Sequence, residues 1–331
     1  MKKIKTGETH GLHCFVVLWL LPHVRVRGNR VLAGPLRERA QSSARRGFFW
    51  GMAIAAGGAF ILNTAFGVGI YIFTGSEGAA EVGTTSIVAP IVEEFLKGFA
   101  VLIVFFLFRK EFDSVLDGII YGGIVGLGFA ATENTLYIYR NGYLEAGWSG
   151  LFALAFIRVV LVGWMHAFFT AFTGIGFAVA RMNRNILIKL AAPLIGFGVA
   201  VTTHGFHNTF GGLIGGFGGL AIGTFIDWVG WTMMLGFIFW LIGHERSIVR
   251  RQLYAEVSSG VITAAQYQKA LSPWTLTIAG FSGRATARFY QACGELAHKK
   301  EQLAKHGDES GNTAVVEKLR AELASLSPHA K

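Results

Sequence analysis

The chain has 331 residues, of which 52% are hydrophobic and only 15% charged, against about 25% charged in an ordinary soluble domain. The charges crowd into residues 1–46, a few short loops and residues 244–331, and almost vanish between Phe48 and Gly243; no single soluble core hides so many apolar segments, so the pattern demands a bilayer. The net charge of +10 is accounted for by Lys and Arg flanking membrane segments and facing anionic lipid, and nucleic acid is not expected as a partner.

In chain order, residues 1–46 form a basic segment. Within it, residues 13–22 are apolar but too few to cross a ~30 Å hydrocarbon core at ~1.5 Å per residue. They read as interfacial, because Arg25, Arg27 and Arg30 follow where a signal peptide would place small residues. Six apolar stretches come next, at about 48–73, 87–108, 115–139, within 151–180, 190–213 and 220–243, each long enough for one crossing. A loop carrying Glu77 and Glu81 joins the first two. The fourth is longer than a crossing needs, with Arg158 near its boundary.

Basic residues set the orientation. Arg45, Arg46, Arg109, Lys110, Arg181, Arg184, Lys189, Arg246, Arg250 and Arg251 fall on one set of connections, and Arg140 with Glu77, Glu81 and Glu145 on the other. Both termini are therefore expected in the cytoplasm of a multi-pass protein of the cell membrane. Cys14 and Cys293 lie on that side and are expected to be reduced. The expected architecture is an all-α, polytopic transmembrane bundle over residues 47–243, followed by a small helical cytosolic tail over 244–331. In the tail, Thr263 and Gln266 form a capping-box pattern, and residues 281–304 and 313–326 read as two helices.

A charge inside a span costs about 2.5–3.5 kcal/mol on insertion scales, so it persists where it is paired, hydrated or useful. This chain has several. The second span reads Ala89-Pro-Ile-Val-Glu93-Glu94-Phe-Leu-Lys97 and the third Gly128-Phe129-Ala-Ala-Thr-Glu133-Asn134. The fourth holds His166 with Thr170 one turn on, and the fifth reads Thr203-His204-Gly-Phe-His207-Asn208. Lys97 is i+4 from Glu93 and i+3 from Glu94, so it reaches either carboxylate; His204 and Asn208, also i and i+4, face one neighbour. Counted from the span ends, Glu93 and Glu133 lie ~9 Å deep, Asn208 ~8 Å, and His204 and His166 ~13 Å, which puts all five in one outer-leaflet layer. Taken singly, Glu93, Glu94 and Lys97 read equally well as an ion pair between helices, Glu133 as a partner of Arg158, and His166 as a packing residue. Phe129 and the glycines from Gly122 to Gly128 read as packing, and Asp117 and Asp227 as solvated or capping.

This ordered set, with Asp117-Gly-Ile-Ile-Tyr121-Gly between the second and third motifs, resembles the PrsW family of intramembrane proteases, distant relatives of the CAAX-processing and bacteriocin-immunity proteases. The resemblance covers residues 83–208. It implies a membrane-embedded peptidase acting on membrane-anchored proteins, such as a single-pass anti-sigma factor cut from the outer side. His207 stands where the family has an aromatic residue, which leaves open whether His204 or His207 faces the site. Amide hydrolysis needs an activated water, a proton shuttle and oxyanion stabilisation. The expected assignment makes Glu93, with Glu94 beside it, the base, and Lys97 the compensating charge. His166 holds the water, His204 and Asn208 donate to the oxyanion, and Glu133 positions water or substrate. No cofactor is required in that scheme. The alternative is a Zn²⁺ ion on the same Glu and His residues, although the chain has no His-Glu-x-x-His helix. A proton- or ion-coupled transporter is the non-enzymatic alternative.

Overall fold

The computed structural model describes residues 44–107, 112, 114–214, 216–272, 275, 279, 282–308 and 311–330. The apolar stretch at 13–22, Cys14, Arg109 and Lys110 lie outside them. Among the described residues every regular element is a helix and none is a strand. They divide into two compact units, one ending at Phe237 and one beginning at Ile238.

The first unit opens with α1 (Ala44–Thr74), which contains a π-helical segment, Trp50–Ala55. Gly75, at φ 66°, ends α1 in the left-handed conformation that glycine adopts without strain. The connection expected to be a loop is instead helical. Ser76 caps α2 (Glu77–Gly83) by accepting from the Ala79 amide, and a π-helical turn, Thr84–Val88, leads straight into α3 (Ala89–Leu107). Next is α4 (Val115–Ile138), started by a reciprocal capping box between Ser114 and Asp117, which bears out the capping role read for Asp117. A π-helical turn, Tyr139–Tyr143, joins α4 to α5 (Leu144–Ala155), which is kinked at Gly147, φ 61°.

The expected fourth span is not one continuous helix. A π-helical segment, Phe156–Leu161, ends at Val162, and α6 (Met165–Met182) starts afresh after Trp164. The freed Leu161 carbonyl accepts from the Trp228 indole at 2.9 Å, which is what makes a break tolerable in an apolar setting. His166 therefore sits in the first turn of α6, and the depth obtained by counting along one continuous fourth helix does not hold for it. α7 (Ile186–Ile214) and α8 (Gly216–Ser258) follow.

Among the described residues, four stretches are long and apolar enough to cross a membrane: Ala44–Thr74, Val115–Met182, Ile186–Phe210 and Gly218–Ser258. The chain thus forms the all-α membrane bundle its composition demands. The second stretch holds both the third and the fourth expected spans, and α3, with Glu93, Glu94 and Lys97 among its 19 residues, is not one of the four.

α6 packs between α4 and α7, and α3 lies against α1, α4, α6 and α7. The α4–α6 seam is built by glycine. Gly118, Gly122 and Gly126 recur every four residues, and a methyl on any of them would collide with the backbone of Gly174, Thr170 or His166 respectively. Gly51 and Gly128 do the same between α1 and α4, against the backbones of Val125 and Phe48. Small residues let backbones approach where lipid supplies no hydrophobic drive.

The second unit begins within α8 and adds α9 (Ala264–Ala270), α10 (Arg284–His306) and α11 (Asn312–Leu326). The capping box at Thr263 and Gln266 forms as read from the sequence. Leu253, Phe289, Leu296, Leu319 and Leu323 form its core. Buried Glu256 binds Lys300 at 2.7 Å and Arg320 at 2.9 Å, and Arg288 grips Glu322 through Nε and Nη2 at 2.6 and 2.7 Å. Burial pushes the Cys293 thiol up to about 12, so this cysteine is a packing residue rather than a nucleophile.

Candidate active site

The site is assembled around α3. A single helical turn presents Glu93, Glu94 and Lys97 to the interior, and all three are buried, Glu94 and Lys97 completely. Lys97 Nζ lies 2.6 Å from Glu94 Oε1 and 3.7 Å from Glu93 Oε2, the double reach expected from the i+3 and i+4 spacing. Its ammonium also stands 4.2 Å from the Phe129 ring centroid, close enough for the ring face to attract it. Phe129 thus does more than pack.

Glu94 is fully engaged. Oε1 meets Lys97 and, at 3.0 Å, His204 Nδ1, while Oε2 accepts from Thr170 Oγ1 at 3.0 Å. With its oxygens committed it acts as an organiser of the site. Glu93 is different. Oε1 accepts from Asn63 Nδ2 at 3.2 Å, but Oε2 is shielded from solvent and has no hydrogen-bond partner among the described residues. Its near neighbours are Lys97 Nζ and His204 Nε2, the latter at 3.8 Å.

The two imidazoles are held alike. His204 gives Nδ1 to Glu94 and turns Nε2 toward Glu93. His166 gives Nε2 to Glu133 Oε2 at 2.6 Å and leaves Nδ1 beside Lys97 Nζ at 3.1 Å. A carboxylate on one ring nitrogen fixes the tautomer and aims the other nitrogen. The rings lie nearly perpendicular, with centroids 5.2 Å apart. Glu133 is braced by Arg158 Nη2 at 3.0 Å, and Arg158 by Asn134 Oδ1 at 2.7 Å. The pairing of Glu133 with Arg158 that the sequence offered exists, and His166 joins it.

Two expectations change. Asn208 is not in the cluster: its Nδ2 donates to the Thr85 carbonyl at 2.9 Å, because the helical run preceding α3 presents that carbonyl to α7. Asp227 is neither solvated nor a cap. It is buried and binds His207 Nδ1 at 2.8 Å, which turns His207 away and leaves His204 as the histidine that faces Glu93. Asn63 and Thr170 complete the site. Asn63 is signalled by a lone amide amid the apolar residues of α1, and Thr170 by its i+4 spacing from His166.

Ligand atoms of Glu93, His166 and His204 all lie within 4.8 Å of one another. One carboxylate and two imidazoles, each imidazole backed by a further carboxylate, are a donor set that suits a catalytic zinc ion. Lys97 Nζ stands among the same atoms and supplies positive charge there. Glu93 and Glu133 also line a cavity of about 250 Å³ shared by α1 and α4.

Fold and site together define an integral membrane protein with a carboxylate–imidazole centre enclosed by its helices. Residues 42–244 match the family model described as PrsW family intramembrane metalloprotease, and the chain belongs to the PrsW family. Among curated proteins, it is 32% identical to Protease PrsW of Oceanobacillus iheyensis over 118 residues, which is 36% of this chain and 49% of that protein. It is 38% identical to that of Geobacillus kaustophilus over 94 residues, 28% of this chain and 37% of the relative. It is 43% identical to that of Clostridioides difficile over 75 residues, 22% and 31% respectively. The chain thus spans half or less of the length of these relatives. No solved structure matches it.

Proposed function

We propose that the chain is a membrane-embedded peptidase that hydrolyses a peptide bond of a membrane-anchored protein, with water activated among Glu93, His166 and His204. The observation that carries this is the buried Glu93 Oε2, which has no hydrogen-bond partner among the described residues and faces His204 Nε2 across 3.8 Å, so that a water seated beside the pair contacts both. Glu93 Oε2 takes the water proton. His204, aimed by Glu94, holds the water in place, and His166, held by Glu133, positions the Lys97 ammonium through Nδ1. The Lys97 ammonium, close to both α3 carboxylates, offsets their charge and stabilises negative charge that develops on the substrate carbonyl oxygen. A single-pass regulator of the anti-sigma type fits such an activity, and the distribution of basic residues supports cytoplasmic termini.

A second scheme is favoured by the carboxylate-backed imidazoles and by the family description. In it Glu93, His166 and His204 hold a divalent metal such as Zn²⁺, which would polarise the substrate carbonyl and bring the pKa of bound water near 7. The roles of Glu94 and Glu133 as aiming groups are the same in both.

The test is cleavage of single-pass membrane proteins by the purified, reconstituted chain. Glu93→Gln is expected to lower the rate by about 10²–10⁴-fold with unchanged helicity and unfolding temperature; a fully active variant refutes the role. Inhibition by a chelator, reversed by added Zn²⁺, selects the metal scheme, and insensitivity selects the glutamate scheme.

A further inference from the structure

Asn63 lies on the face of α1 that carries the buried Ala55, Ala56 and Ala59, one turn beyond Ala59, in a helix that is otherwise almost wholly apolar. An amide there is unfavourable unless its donors and acceptor are used. Half of it is: Nδ2 donates to Glu93 Oε1. Because a carboxylate takes only the NH₂ end of the amide, Oδ1 is turned away from Glu93, and it is shielded from solvent with no hydrogen-bond partner among the described residues. The amide borders the cavity between α1 and α4 that Glu93 and Glu133 also line. The neighbouring hydroxyls are committed, Thr64 to the Phe60 carbonyl and Thr132 to the Met52 carbonyl. Two acceptors of residues lining that cavity therefore lack a hydrogen-bond partner among the described residues, Glu93 Oε2 and Asn63 Oδ1.

We propose that Asn63 anchors the substrate backbone: its Oδ1 accepts a hydrogen bond from a main-chain N–H next to the bond being cut, while its Nδ2 holds Glu93 in register with that bond. The inference rests on the peptidase function proposed above and adds a substrate class to it. An N–H inside an α-helix is already bonded to the carbonyl four residues back. An acceptor without a partner beside the cavity therefore selects a stretch of chain that is unwound or extended at the cleavage point, and a continuous helix is refused.

The experiment uses the full chain in liposomes and synthetic Lys-flanked Leu/Ala single-pass peptides with a central Gly-Pro stretch. In a parallel series each amide beside the cleaved bond is replaced in turn by an ester, which removes one N–H at a time. For the unaltered protein, one ester position should lower kcat/KM about tenfold, chiefly through KM. In Asn63→Leu the all-amide peptide should lose at least as much, with a further fall in kcat because Glu93 is no longer held in register, and the ester should cost nothing beyond it. Equal ester effects in both proteins, or normal kinetics in Asn63→Leu, overturn the proposal. The ester series on the unaltered protein does not depend on how well the variant folds. Binding of the same dansyl-labelled peptides to the Glu93→Gln protein provides a measurement that needs no cleavage. There the critical ester should raise Kd about tenfold, and an unchanged Kd at every position also overturns the proposal. Failure of the peptidase function itself looks different: the unaltered chain then cleaves none of the peptides.

Discussion

Glu94 and Lys97 share one turn of α3 and are the two completely buried charges of the site. Each ion removed from water carries a desolvation penalty of several kcal/mol, which a close pair with saturated hydrogen bonds offsets and a lone ion does not. Glu94→Ala should therefore destabilise the protein by about 3–5 kcal/mol, read as a fall in the thermal midpoint in detergent, because it takes the closest counter-charge from the Lys97 ammonium and frees both His204 and Thr170. Glu94→Gln should cost less. A Glu94→Ala protein as stable as the parent would remove Glu94 from the centre of the network. Residue types were legible at this scale, since charge in an apolar run stands out. Their division of labour was not, since the sequence offers Glu93 and Glu94 as near equivalents. Only the packing of α1, α6 and α7 shows that Glu94 is saturated while Glu93 keeps one oxygen without a hydrogen bond among the described residues. The same blindness misplaced Asp227, whose partner His207 is 20 residues away.

The helices were legible as apolar runs, and the glycines of α4 as packing residues. Gly118, Gly122 and Gly126 do more than permit close approach: the residues they meet on α6 include Thr170 and His166, so the seam sets the height of the site histidine. Gly126→Ala would press its methyl into the His166 carbonyl, and overpacking of this kind costs about 1–3 kcal/mol. The expected outcome is a folded protein with cleavage lost out of proportion to stability; unimpaired activity would mean that the seam does not position His166. The break before α6 was hidden from the sequence because residues 162–164 are as apolar as their neighbours. What makes it possible is Trp228, far along the chain, which supplies the donor the Leu161 carbonyl has lost.

The two units have different physics. The membrane unit keeps its charges inside and its apolar residues outside; the unit from Ile238 onward has an apolar core laced by ion pairs. Its helices and the Thr263 capping box were readable from local pattern, whereas the Glu256 and Arg288 pairings, which join distant helices, were not. The hydrogen bond from Arg288 holds the Glu322 carboxyl below its ordinary value. A carboxyl depressed on folding stabilises the folded state fully above its unfolded value, near 4.5, and that contribution fades as pH falls through the folded value. Thermal unfolding followed from pH 7 to pH 3 should show this unit losing stability below about pH 4.5, and Arg288→Gln should flatten the acid limb. An unchanged limb would show that the pair does not contribute. For the membrane unit, the glycine seam has a mechanical corollary. Two helices joined backbone to backbone tilt as one plate, so lipids of different thickness rotate Glu133 and His166 together without parting them. Reconstitution in progressively longer acyl chains should therefore alter how readily substrate enters, read in KM, and leave the turnover of bound substrate nearly constant.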